Sequence, residues 1–173
     1  MRSDDGRGGL LELIGVEAAR VEENATFGQQ GNLEAAKGWS AVGWSLGSVI
    51  AAGSAVGGVL TFAGGTLQVV GGCLALIAAA GTGVHGTLRP ARRAERARSV
   101  AVQFAAVRDR ARRLRTVDLA GDDISTLRHR LETVSEQLTA ASEVADPTPR
   151  WAYLRAKRNI ERDGGQAHRI DCA

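Results

Sequence analysis

Three histidines, His85, His129 and His168, and two cysteines, Cys73 and Cys172, are the side chains best suited to proton transfer, metal ligation or nucleophilic attack. They are scattered without the spacing of a zinc knuckle or a redox pair, so neither a metal site nor a structural disulfide is expected. Gly81-Thr82-Gly83-Val84-His85-Gly86 has the glycine spacing of a phosphate loop. No strand-like run precedes it, and inside an apolar stretch glycine is a packing device before it is a phosphate cradle. With no nucleophile elbow and no acid–base constellation, the chain reads as non-enzymatic and without a cofactor.

The chemistry that remains is that of arginine. The arginines between Arg89 and Arg115 meet only Glu95 and Asp109 as opposing charges, although the formal net charge of the whole chain is just +3. Arg89, Arg92, Arg93 and Arg96 are the candidates for contact with anionic lipid headgroups or an anionic ligand. An anionic nucleotide or protein partner is the second reading of the block. Nucleic acid is disfavoured, because no recognition motif or stacking aromatic accompanies the arginines.

These arginines follow a long gap in charge. Between Lys37 and Arg89 there is no Asp, Glu, Lys or Arg, in a chain that is 24% charged. Trp39 to Leu60 and Leu67 to Leu88 are each long enough, at about 1.5 Å per helical residue, to cross a hydrocarbon layer of about 30 Å. Thr61-Phe62-Ala63-Gly64-Gly65-Thr66 between them holds turn formers, so a hairpin with both ends on one side is expected. A buried helical hairpin of a soluble protein is the alternative. Against it, the rest of the chain offers little apolar surface to cover two helices that are apolar all round. Arginine concentrated at the exit of the second span places both termini in the cytoplasm. Met1-Arg2-Ser3-Asp4-Asp5 lacks the basic start of a secretory signal, so insertion is expected to use the spans themselves.

Small residues fill positions in both spans where Leu or Ile would be usual. Gly43, Gly47 and Ala51 fall four apart, Gly53 and Gly57 lie on another face, and Gly71 and Gly72 open a similar series in the second span. In lipid, small residues let helix backbones approach, so these seven are candidates for packing within the hairpin or for oligomerisation. Ser48, Gln68 and His85 are the polar candidates for a pore or gate. Ser and Thr hydroxyls commonly bond back to their own helix, whereas His85 near the basic flank is a titratable group.

The remaining elements read as amphipathic helices, with few signs of strands. Leu11, Ile14, Ala18, Val21 and Ala25 recur at spacings of three and four, interrupted at Gly28, Gly31 and Asn32. Pro90 suits a helix start or a kink, and Val100, Phe104, Val107, Ala111 and Leu114 make the next seam, in a helix expected to reach about Val117. Ile124, Leu127, Leu131, Val134, Leu138, Ala141 and Ala145 repeat it after the cap candidates Asp122 and Asp123, and these two helices should pack antiparallel. Pro149 opens a last helix carrying Trp151, Tyr153, Leu154 and Ile160. The expected fold is an all-α membrane protein: a disordered tail 1–9, an amphipathic cytoplasmic helix 10–37, a two-helix transmembrane hairpin 38–88, an antiparallel cytoplasmic helical bundle 89–164, and a disordered tail 165–173.

This layout resembles the SLATT family, two-transmembrane effector domains associated with SMODS nucleotidyltransferases and SLOG sensors in bacterial conflict systems. The likeness covers nearly the whole chain. It rests on the polar lead from Ala19-Arg20 to Lys37, Trp39 opening the first span, the second span passing into Arg89 to Arg98, and the helix with Phe104 and Leu114. Ile124, Leu127 and Leu131, then Pro149 with Trp151 to Ala156, continue it. The Gly- and Ala-rich character of both spans departs from the family pattern. The resemblance implies a pore-forming or membrane-perturbing antiviral effector of the bacterial inner membrane, acting as a homo-oligomer and triggered by a nucleotide signal that arrives through a separate sensor protein or at a site on the cytoplasmic helices. The alternative is a non-conducting membrane anchor or scaffold that recruits a cytoplasmic partner.

Overall fold

The apolar spacings become helices throughout. The computed structural model describes residues 2–63, 65–147 and 149–162, with side chains from residue 7 to residue 160. Its elements are α1 (Arg2–Thr61), α2 (Gly65–Leu88), α3 (Pro90–Arg113), a π-helical turn (Leu114–Asp118), α4 (Leu119–Gly121), α5 (Ile124–Val144) and α6 (Arg150–Arg162). There is no strand among the described residues. His168, Cys172 and the tail 165–173 lie outside the described residues, as do Gly64 of the expected turn and Thr148.

Two compact units are formed, one from Met1–Ala35 with Ala97–Ala173 and one from Ala36–Arg96. In the first, Val21, Ala25, Val100, Phe104, Val107, Ala111, Val134 and Ala141 make one buried cluster, and Ile14, Ala18, Leu114 and Leu127 make a second. The seam positions from Val100 to Leu114 are buried, and Leu131 and Leu138 of α5, with Ala145 just beyond its end, pack against the clusters. Contacts descend α5 as they ascend α3 and the turn after it: Arg110 bonds Gln137, and Arg130 reaches Asp118. This is the antiparallel order of two neighbouring amphipathic helices joined by a short connection.

The expected start of the first helix gives way, and the choice between a break and a weak stretch at Gly28, Gly31 and Asn32 falls to one continuous helix. Helix α1 starts at Arg2, ahead of Leu10, and Arg7 to Gly9 are exposed along it. Once a helix is nucleated, each further residue needs to add only one hydrogen bond, so turns can extend beyond the packed part. Gly28, Gly31 and Asn32 do not break α1 either. A Cβ on Gly28 would stand 2.8 Å from the Phe104 ring, so this glycine makes room for the aromatic, while the Asn32 amide donates back to the Gly28 carbonyl at 2.8 Å.

In α6, Ala152 and Ala156 are the buried positions, while Trp151, Tyr153 and Leu154 face outward. Close packing selects the small side chains there, against the order of hydrophobicity.

The connection between α3 and α5 is also more structured than its sequence suggests. The Leu119 N–H bonds to the Leu114 carbonyl, five residues back, so Leu114 and Leu119 both meet the second cluster while Val117 turns outward. A continuous α-helix, at 3.6 residues per turn, would separate residues five apart onto different faces.

Asp123 then caps α5. Its carboxylate accepts the Ser125 N–H at 3.0 Å, the Ser125 hydroxyl at 2.6 Å and the Thr126 hydroxyl at 3.2 Å. The Ser125 hydroxyl and then the Ser125 N–H hold this carboxyl below its usual range. A folded-state pKa below the unfolded value means that the cap stabilises fully above the unfolded pKa and is lost as pH falls through the folded one. Asp123→Ala is therefore expected to lower the melting temperature at neutral pH, with the difference from the parent closing as the pH drops through the carboxylate range. For the core, Leu127→Ala should cost about 2–5 kcal/mol in denaturant unfolding. Trp151→Ser, at an outward position, should stay within about 0.5 kcal/mol.

Candidate functional site

Trp39 to Arg93 form the second unit's hairpin, and its geometry follows from where the side chains are smallest. Gly71 comes closest: a Cβ there would stand 2.7 Å from the Thr61 nitrogen and 2.8 Å from the Gly57 carbonyl oxygen. A Cβ on Gly57 would meet the Gly71 carbonyl at 3.0 Å and the Ala75 nitrogen at 3.1 Å. Only glycine permits backbone against backbone at these two positions. Further from the turn, Gly53 faces Ala78, Gly81 faces Ile50 and Gly43 faces Pro90. The pairs descend one helix as they ascend the other. At the far end the Arg93 guanidinium lies over the Trp39 ring, 4.8 Å from its centroid, a contact worth about 0.5–1 kcal/mol where exposed.

The turn itself needs one left-handed residue, and Gly65 supplies it with φ +58°. At the other end α2 stops at Leu88 and α3 begins at Pro90, so the proline opens a helix at its first position. Between them Arg89 holds φ +45°, a left-handed conformation that costs an L-residue about 1–2 kcal/mol. Its N–H still bonds the His85 carbonyl at 3.1 Å, and its carbonyl accepts the Arg93 N–H at 3.2 Å. The chain is thus bent at Arg89 with its hydrogen-bond ladder largely kept.

The expected packing residues divide into two sets. Gly43, Gly53, Gly57 and Gly71 lie on the inner face of the hairpin. Gly47 and Gly72 have no heavy atom within 4 Å of a would-be Cβ, and Ala51 is exposed. Gly43 and Gly47 therefore do not act as one face. A spacing of four overshoots the 3.6-residue turn, so such a series drifts round the helix.

With Ser54 and Gly58, the outward Gly47 and Ala51 make an open small-residue stripe at spacings of four, three and four. Around it, large apolar side chains point away from the hairpin, among them Trp44 at 80% and Phe62 at 92% exposure.

Ser48 and Gln68 are exposed, and His85 is half-buried. These three are not brought together. Ser45, Thr61, Thr82 and Thr87 donate back to carbonyls of their own helices, as expected of hydroxyls in apolar helices. Arg89, Arg92, Arg93 and Arg96 are all exposed beyond α2.

No protein-family model, curated protein or solved structure matches this chain. Its reading rests on the residues.

In the other unit, α1 carries a polar run that sequence periodicity gave no reason to bury. Gln29, Gln30, Asn32 and Glu34 are all buried, and no buried side-chain nitrogen or oxygen among the described residues lacks a partner. Gln29 accepts from Arg108 at 3.1 Å and Gln30 accepts from Asn159 of α6 at 3.4 Å. Buried amides are tolerated only when so paired, and they fix helix register where an alanine-rich interface would slide. The weak stretch of the apolar pattern was the only signal of them.

The two glycine sets can be told apart by adding one methyl group. Gly71→Ala should destabilise the hairpin by about 1–3 kcal/mol through overpacking against backbone. Gly72→Ala should be neutral or stabilising by up to about 1 kcal/mol through helix propensity. Thermal unfolding of the detergent-solubilised chain would register both.

Proposed function

We propose that the hairpin crosses the bacterial inner membrane twice, with both termini in the cytoplasm, and that it self-associates to perturb or perforate that membrane. The observation that carries this reading is the exposure of an uncharged hairpin. Helices α1 and α2 are long and apolar enough to span a membrane, yet only 6% and 11% of their most apolar stretches are buried. A soluble protein would leave that surface in water at a cost near 25 cal/mol per Å². In lipid the cost disappears.

Association is supported by the open stripe at Gly47, Ala51, Ser54 and Gly58. Two helices per protomer cannot enclose water, so a conducting assembly needs several copies. The uncharged lining favours a broad, weakly selective pore over a charged filter. The resemblance to SLATT effectors supports the same reading and supplies its setting, a nucleotide-signalled conflict system with a separate sensor. The unit containing α5 and α6, read as a cytoplasmic antiparallel bundle, would receive the signal.

A non-conducting anchor is the second reading, favoured by the outward Trp151, Tyr153 and Leu154 of α6, which offer a partner an apolar surface.

Conductance separates the two. The full chain reconstituted in liposomes should resist alkaline extraction and release a trapped small dye. Gly47→Leu should cut release at least about tenfold, the factor given by about 1.4 kcal/mol of lost assembly energy. Dye retained under every trigger, with alkaline extraction still resisted, would leave the anchor. Extraction into the alkaline supernatant would remove both readings.

A further inference from the structure

Several arginines of α3 and the turn after it already have work in the fold. Arg93 covers Trp39, Arg108 bonds Gln29 and Asp109, and Arg115 meets Glu22 at 3.1 Å. Arg113 differs: among the described residues it makes no hydrogen bond or ion pair, yet it borders a groove of about 380 Å³ between α3 and α5. Leu114 and Val134, both buried, give this groove an apolar floor.

The charges around the groove do not cancel. Arg130 is held by two carboxylates, Asp118 at 2.8 Å and Asp122 at 2.7 Å, which raise its pKa further, so with Arg110 and Arg113 three guanidinium groups face two carboxylates. Among the described residues, Arg110 bonds only the neutral amide of Gln137 and Arg113 makes no bond. Among the described residues, two guanidinium groups three residues apart on one helix face therefore make no ion pair, and the groove is also lined by Thr133 of α5, whose hydroxyl donates to the His129 carbonyl at 2.9 Å. Arg110, Leu114 and Asp118 follow one another at spacings of four and line the groove from one side, with Asp118 closing the π-helical turn.

We propose that this groove binds a phosphate-bearing small ligand, Arg113 and Arg110 holding the phosphate and the Leu114–Val134 floor packing its organic part. A guanidinium presents a planar fork of donors that matches phosphate oxygens in pairs. The volume falls in the range of small-molecule sites, beyond what inorganic phosphate alone fills. The same phosphate chemistry is offered by a soluble phosphate ester and by a phospholipid headgroup. The site lies within one unit and does not depend on the hairpin conducting.

Calorimetric titration of AMP and of inorganic pyrophosphate into the detergent-solubilised full chain tests it, with anionic phosphatidylglycerol vesicles as the lipid arm. Arg113→Gln removes the free guanidinium at an exposed position where folding should survive. Arg128→Gln, an exposed arginine of α5 that does not line the groove, removes the same charge elsewhere. Saturable binding of either soluble probe, weakened at least tenfold by Arg113→Gln and unchanged by Arg128→Gln, is the expected result. If only vesicle binding shows that discrimination, the headgroup is the ligand. If neither arm distinguishes the two variants, or neither shows binding, the proposal is overturned. Melting curves of both variants keep loss of binding separate from loss of fold.

Discussion

The contact between Gly71 and the backbone of α1 sets the terms for the hairpin. With a Cβ position 2.7 Å from the Thr61 nitrogen, nothing larger than hydrogen fits, and the two helices meet there with main chain against main chain. Where glycines bring the backbones this close, most bulky side chains must leave the inner face, Ile50 against Gly81 being an exception. Trp44, Val49, Val59, Leu76 and Ile77 all point away from the partner helix. In water such an arrangement would be upside down, since the largest apolar groups would gain nothing from folding. In hydrocarbon it is the economical one, because side chains in contact with lipid lose nothing and dispersion between close backbones supplies the attraction. The reading of this unit as a membrane element thus depends on which side chains face inward as much as on the absence of charge.

The other unit is governed by different physics. Its clusters combine Val, Leu and Phe with many alanines, so helices lie close and each buried group contributes modestly. Alanine-rich interfaces specify register poorly. The paired amides at Gln29, Gln30 and Asn159 and the ion pair of Glu22 with Arg115 supply position-specific restraints along α1. Two of these, through Arg108 and Arg115, use the arginine block that in sequence looked like a single basic surface.

The seams were legible because amphipathic periodicity is a sum over many residues. Ile14, Ala18, Val21 and Ala25, then Val100 to Leu114, then Leu127 to Ala141, are buried where a 3.6-residue repeat puts them. What escaped was decided by one or two residues against that trend. In α6 the close approach of another helix favours Ala152 and Ala156, so the larger Trp151 and Leu154 are displaced outward, and hydrophobicity alone points the wrong way. In the π-helical turn the gain is local too. One wider turn brings Leu119 inward and leaves Val117 in solvent, and no residue type announces it. In the spans a run of glycines at spacing four looked like one face, although the drift of the helix divides Gly43 from Gly47.

The arginines show why a charge run does not carry a single function. A guanidinium takes its role from the partner within reach, and the partners change along α3. Near Pro90 there is an indole for Arg93, and further on an amide for Arg108 and a carboxylate for Arg115. Arg89 is instead tied by backbone geometry, its φ of +45° bending the chain where α2 gives way to α3. Each arginine that finds a partner is subtracted from whatever the block could offer to a membrane or a ligand. What is left over is then informative in a way the block is not: a cation with no anion among the described residues, beside an apolar-floored cavity, has a charge open to a ligand. Arg113 meets that condition: it borders the groove that Asp118 also lines, and the Asp118 carboxylate is paired with Arg130.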